Sequence, residues 1–327
     1  MNTRTPTRTT RFTKKTGFAP VFFVTVVLGG CSTIPPAVSN YGALTSPLEL
    51  ADTPFFPQDA YQCGPAALMT ILTASDVSTS LDELVRQVYL PAREGSLQGE
   101  MLAATRGAER VPYILKPALS DITAELAAGR PVLILQNLSI SWAPLWHYAV
   151  VVGVDPEKDE LVLRSGTDAR RIMRKTVFLR TWRRSDYWAF VALRPGELPA
   201  NPDRQRYADA VAGLEQTGHV ASAKLAWQAG VAHWPNDTVQ LFGLANTEYA
   251  LGNFHSAERI YRQLLDVDGS LPGAQNNLAM TLLALDQPLA ALRQIDAALA
   301  VANGSVWHEA LLDTRRSILK AIDNKPE

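Results

Sequence analysis

Read for its apolar and polar positions, the chain falls into helices, then strands, then helices again. After Pro65, the run Ala66, Ala67, Met69, Thr70, Ile71 and Leu72 predicts a largely buried helix, with the proline well placed in its first turn. Ser80-Leu81-Asp82-Glu83 has capping-box spacing and predicts a second helix reaching about Val88. Two more helices are expected, over about 97–107 and over 121–128 up to Gly129. The pattern then changes to strands at 132–135, 148–154, 160–164 and 187–193, with a polar turn over 155–159. Helices first and a mostly antiparallel sheet second is an α+β arrangement.

Pro195, Gly196, Pro199, Asn201 and Pro202 mark a linker, taken as 197–203. Beyond it the pattern is helical and repeats every 34 residues. Ala210, Leu244 and Leu278 hold one position, and Val211, Ala245 and Ala279 the next. Small Ala223, Ala257 and Ala291 are followed by bulky Trp227, Tyr261 and Ile295. Gly218 and Gly252 hold the turn between paired helices, with Asp286 in the third copy, and Pro235 ends the first unit. A small residue where two helices cross, a bulky one beside it and this period are the tetratricopeptide logic. Residues 204–322 are expected to form an all-α solenoid of three units plus a closing helix. Such a solenoid offers a face for a protein partner and carries no chemistry. Its four histidines show no metal-ligand spacing, and no cofactor is expected.

The first thirty residues read differently. Arg4, Arg8, Arg11, Lys14 and Lys15 form a basic stretch without acids, followed by an apolar run from Phe18 to Gly30. That run is short for a bilayer span and has the flanks of a cleaved signal. Leu28-Gly29-Gly30-Cys31 resembles the lipobox of bacterial lipoproteins, which implies lipidation of Cys31 after removal of 1–30. By the same resemblance, Ser32 rather than Asp after the cysteine favours the outer membrane. Residues 31–50 are polar and aperiodic and are expected to act as a tether. Without the five basic residues, 31 − 5 = 26 Lys and Arg stand against 32 Asp and Glu, a mature net charge of −6. No basic stripe stands out, and nucleic acid is not an expected partner.

The chain has 2 cysteines. With Cys31 lipidated, Cys63 is the one free thiol of an envelope protein, where a lone cysteine needs a reason. It stands at a loop-to-helix junction, where the backbone dipole favours the thiolate. Of 5 histidines, only His147 precedes the linker, at the start of a strand. One cysteine at a helix start and one histidine at a strand start are what a thiolate–imidazolium pair requires. Trp142, Pro144, Trp146 and Tyr61 flank these two residues and are candidates for either a peptide groove or core.

Four stretches in order carry a resemblance. They are Gln-x-x-x-x-Cys-Gly-Pro-Ala-Ala-Leu at 58–68, Gly-Ser-x-x-Gly-x-x-Leu at 95–102, Gly-x-Pro-Val-Leu at 129–133 and His-Tyr-x-Val-Val-x-Gly at 147–153. Together they resemble the papain-like bacteriocin-processing cysteine peptidases, over about 54–193. The resemblance implies a papain-like peptidase domain over 51–196, with Cys63 as nucleophile and His147 as base and later acid. It implies Gln58 as oxyanion donor beside the Cys63 amide, although the family's glutamine stands one residue further from its cysteine; Gln62 is the alternative. The family's imidazole-orienting Asp has no direct counterpart. Ser165 stands where it is expected and Asp168 lies three residues on, so Asp168, Ser165 or neither fills that role.

The expectation is therefore an envelope lipoprotein that acts as a thiol peptidase on a peptide or protein. A transpeptidase variant shares the same acyl-enzyme. The alternative from another class is a catalytically weak or inactive peptidase fold that assembles envelope proteins.

Overall fold

The computed structural model describes residues 36–57, 62–302 and 305–324. The expected signal segment 1–30 and the expected lipidation site Cys31 lie outside these residues, and among the described ones no helix is long and apolar enough to cross a membrane. The part from Ile34 onward forms one compact unit.

It begins with a short turn of helix, α1 (Pro36–Ser39), and a two-residue strand, β1 (Leu48–Glu49). Three helices follow: α2 (Cys63–Ala74), α3 (Leu81–Val88) and α4 (Gln98–Gly107). Then come β2 (Val111–Ile114), α5 (Leu119–Ala127), β3 (Val132–Asn137), β4 (Trp146–Asp155), β5 (Glu160–Ser165), β6 (Asp168–Arg174), α6 (Lys175–Arg183) and β7 (Ala189–Leu193). The expected capping box is formed, with the Ser80 hydroxyl accepting from the Glu83 amide at 3.2 Å. The expected α+β arrangement is present, as one antiparallel sheet in the order β2-β7-β3-β4-β5-β6 with β1 on β4.

Two cores hold the sheet between helices. Alternate residues of β3 and β4 serve opposite faces. Leu133, Leu135, Tyr148 and Val150 pack with Leu68, Leu72, Leu84 and Met101 of α2–α4. Ile134, Ala149 and Val151 pack with Ile122, Phe178 and Trp182 of α5 and α6. Helix α2 is apolar on nearly every side, as a helix clamped between other elements must be.

Residues 31–50, expected as a tether, are laid against the sheet in their described part. Leu48 and Glu49 pair with Val154 and Gly153, and the Leu50 amide donates to Val152 at 2.8 Å. The Tyr41 hydroxyl donates to Asp159, and the Tyr41 carbonyl accepts from Thr123. Sparse apolar anchors at Tyr41, Leu44 and Leu48 do this without any periodicity.

The second half is a stack of paired helices: α7 (Arg204–Gln216), α8 (Val220–His233), α9 (Thr238–Ala250), α10 (Phe254–Val267), α11 (Pro272–Ala284) and α12 (Pro288–Val301), then α13 (His308–Asp323). Odd helices α7–α11 start 34 residues apart, at 204, 238 and 272, and even ones at 220, 254 and 288. All twelve repeat positions named above are buried. The turns close in the left-handed region at Gly218 (φ +88°), Gly252 (+75°) and Asp286 (+57°), so the aspartate carries the strain that glycine avoids.

The Pro-rich linker is pinned. The Ala200 amide donates to buried Glu125 at 2.7 Å, Asn201 to Asp121 at 3.1 Å, and the Asp203 amide to the Tyr113 hydroxyl at 3.1 Å. One continuous core runs from the sheet through α7 into the helical repeats.

Candidate active site

Cys63 is the first residue of α2, and Gln62 caps the helix without a side-chain bond. Further upstream, the chain is held to the sheet by Arg164. That buried guanidinium donates to the carbonyls of Ala51 at 2.9 Å and Thr53 at 3.1 Å, and to Ala169 at 2.6 Å. Gln58 and Tyr61 fall in the stretch that lies outside the described residues.

The thiol is half-buried. Burial pushes its pKa up, and hydrogen bonds from the backbone amides of Tyr148, Gly64 and Cys63 itself act in the opposite direction without overcoming it. The helix start therefore does not by itself make a thiolate here. Tyr148 is the neighbour of His147, so the sulfur sits where β4 begins.

His147 is held by the sheet. Its Nε2 lies 2.8 Å from the hydroxyl of Ser165, a residue only 2% exposed. Val150 on β4 pairs with Arg164 on β5, so Ser165 is the next residue along and meets His147 diagonally. Bonding at Nε2 leaves Nδ1 for a proton donor on the other side of the ring. Burial, and then the charge of Arg171, hold the His147 pKa down at about 4. At neutral pH the resting groups are a thiol and a neutral imidazole. The ion pair expected from position alone is not their resting state, because desolvation disfavours charge on both.

Asp168 opens β6, opposite Ser165 across the tight turn Gly166–Thr167, and is exposed. No hydrogen bond joins it to His147 among the described residues, whereas Ser165 has one.

Cys63 and His147 line one cleft of about 980 Å³. One wall is Arg93–Gln98; the other includes Leu138, Pro144, Leu145 and Trp146, with Arg184, Ser185 and Asp186 beyond. The first wall is tied to β4 by the Tyr148 hydroxyl, which donates to the Ser96 carbonyl at 3.2 Å. The second is held by buried Asn137, whose Oδ1 accepts from the amides of Ser139 and Leu145, each at 3.0 Å. Of the flanking residues, Trp146 and Pro144 line the cleft, while Trp142 is 84% exposed and outside it. Among the described residues no group of His, Cys, Asp and Glu is placed to hold a metal.

Three features went unseen in the sequence. Ser96 lies against Gly64, where a Cβ would stand 2.7 Å from the Ser96 Cβ, so glycine is required directly after the cysteine. Gln136, opposite His147 in register, donates to Thr181 at 2.6 Å and fixes α6 behind the histidine. The third corrects the absence of a basic stripe. Residues 168–184 carry Arg170, Arg171, Arg174, Lys175, Arg180, Arg183 and Arg184 against Asp168 alone, a bias hidden because the rest of the chain is acidic.

No protein-family model matches the chain, and no curated protein matches it. Solved structures resemble parts of it. A Bacillus anthracis protein described as a C39-like peptidase has 16% identity and a TM-score of 0.38, covering 45% of this chain and 98% of its own. The Yersinia enterocolitica type III secretion chaperone SycD, in complex with a peptide of the translocator YopD, has 21% identity and a TM-score of 0.35, covering 38% and 94%. The TPR2B domain of yeast Sti1, in a complex with pHsp70, has 15% identity and a TM-score of 0.35, covering 36% and 96%. Each of these likenesses covers less than half of this chain.

Proposed function

We propose that this chain is a papain-like thiol peptidase, with tetratricopeptide-type repeats that bind a protein partner and a lipid on Cys31 that anchors it to the outer membrane. The observation that carries the reading is that Cys63, at a helix start, lines one cleft with a histidine whose far nitrogen is already held by Ser165.

In this reading His147 Nε2–H donates to Ser165 and Nδ1 accepts the thiol proton as the sulfur attacks a peptide carbonyl. The charge pair forms during attack, since both groups rest neutral. The oxyanion is met by the Cys63 amide and by Gln58, a type of donor worth about 10²–10³ in rate. The imidazolium then passes its proton to the leaving amine, and water, deprotonated by His147, releases the acyl group from sulfur. An amine in place of water gives the acyl-transfer variant. Ser165 fills the orienting position in this mechanism; exposed Asp168 does not.

A peptidyl acyloxymethyl ketone needs nucleophile, base and oxyanion donor together, and so tests the assignment. Labelling is expected on Cys63 in the full chain, absent in Cys63→Ala, and slowed about 10²-fold in Gln58→Ala. An unlabelled wild-type chain contradicts the reading. One observation favours the inactive-scaffold alternative: among the described residues no carboxylate hydrogen-bonds to His147, and a hydroxyl stabilises an imidazolium less than a carboxylate does.

A further inference from the structure

Strand β6 ends the sheet, and no described strand pairs with its outer side. One alternate set of its N–H and C=O groups therefore points away from β5, the arrangement that accepts an added strand. Edge strands are commonly guarded by charge. Three features exceed a guard here. The charge is of one sign and continues off the strand onto α6, through Arg180 and Arg183, to Arg184 in the cleft. Ile172 stands 51% exposed in the middle of the edge, an apolar contact that a guard would omit. The patch also adjoins the cleft, whose lining includes Gly166 and Thr167, just before β6, and Arg184.

Neutralisation within the chain is partial. Glu49 pairs with Arg170 at 2.8 Å, and Asp159 pairs with Lys175. Arg184 donates to the Asn137 carbonyl at 3.2 Å. Exposed Arg171, Arg174 and Arg180 form no ion pair with an acid among the described residues. Glu94 and Asp186 are the acids that line the cleft itself. A chain that is otherwise net acidic thus carries a run of positive charge, only partly neutralised, along a strand edge that adjoins the cleft.

We infer that β6 and the adjoining face of α6 dock an extended acidic segment of the peptide substrate, which adds as a strand to the sheet edge and leads its scissile bond toward Cys63. This rests on the peptidase reading for its direction toward the thiol, but not for the docking itself. Backbone bonds along β6 set the register; on the face shared with α6, Arg171 and Arg180 select carboxylates, and on the opposite face Ile172 takes an apolar side chain beside Arg174. Selection by charge works chiefly by steering and by excluding basic sequences.

The test uses full-length Cys63→Ala chain and fluorescein-labelled ten-residue peptides of one β-prone pattern, with Glu, Gln or Lys at the alternate polar positions. Fluorescence anisotropy is expected to give about tenfold tighter binding for the Glu peptide than for the Gln peptide at low salt, narrowing as salt rises. Replacing Arg171, Arg174 and Arg180 by Gln should abolish that difference. N-methylation of alternate peptide amides should remove binding altogether, since charge alone does not build a strand. Equal binding of all three peptides, or full binding after N-methylation, overturns the proposal. So does tight binding of the arginine face to phosphatidylglycerol vesicles with no binding of the Glu peptide. Thiol labelling of the wild-type chain separates the two claims. Glu-peptide binding with an inert Cys63 leaves the docking edge standing and removes the peptidase, whereas a reactive Cys63 without peptide preference does the reverse.

Discussion

The hydroxyl of Ser165 lies 2.8 Å from Nε2 of His147, where it holds the ring by a neutral hydrogen bond instead of a charged one. This pairing sets the character of the site. A carboxylate at that place would favour the imidazolium, whereas a hydroxyl orients the ring and leaves burial and Arg171 to hold its pKa at about 4.

Two substitutions separate orientation from charge. Ser165→Ala removes the bond and should slow acylation of Cys63 about tenfold, the worth of one neutral hydrogen bond. Ser165→Asp adds a negative charge beside the ring and should raise the His147 pKa, moving the acid limb of the pH–rate profile toward higher pH. The profile is read with the acyloxymethyl ketone. An unchanged limb in Ser165→Asp contradicts the pairing.

Stability should depend on pH through the same histidine. Above about 6.5, the ordinary value of a free histidine, both folded and unfolded chains carry a neutral ring and His147 costs nothing. As pH falls below that value, the unfolded chain takes a proton that the folded chain refuses until about 4. Stability is therefore lost between about 6.5 and 4, on the order of 2 kcal/mol after allowance for the ring's partial exposure. Urea unfolding at pH 7 and pH 4 should show this loss in the wild-type chain, and a smaller one in His147→Gln. Arg171→Gln should narrow the window by removing the second cause.

Gly64 offers a test of how the cleft wall is set. A methyl there would press on Ser96, with 2.7 Å to its Cβ, and should cost about 1–3 kcal/mol in urea unfolding. Ser96→Gly in the same chain should recover most of that cost. No recovery would mean that the strain lies elsewhere.

What the sequence made legible follows from what each pattern reports. The 34-residue repeat was readable to the residue, because small Ala223, Ala257 and Ala291 must recur wherever paired helices cross. The core strands β3 and β4 were readable as unbroken apolar runs. Strand β2 was not, with Pro112 inside it, nor was β6, whose single buried side chain, Met173, leaves no alternation to see. Helix α6 followed from β6 and was lost with it. The tether was misread because Leu48 and Glu49 dock by backbone pairing, which composition does not record. At the site, the positions of Cys63 and His147 were visible as residue types at element starts. Their neutral resting state was not, since it depends on burial by residues distant in sequence.

The central claim is that His147 serves Cys63 as its base, and thiol alkylation tests it most directly. The rate of iodoacetamide addition, located on Cys63 by mass spectrometry, is to be measured from pH 4 to pH 9 in the wild-type chain and in His147→Ala. A general base contributes on the order of 10²–10⁴ to a reaction it assists fully, and even partial assistance predicts at least about tenfold slower alkylation at pH 7 without His147. The two rates should draw together only toward alkaline pH, above the ordinary thiol range, because burial holds the Cys63 pKa up. Equal rates across the whole range would contradict the dyad.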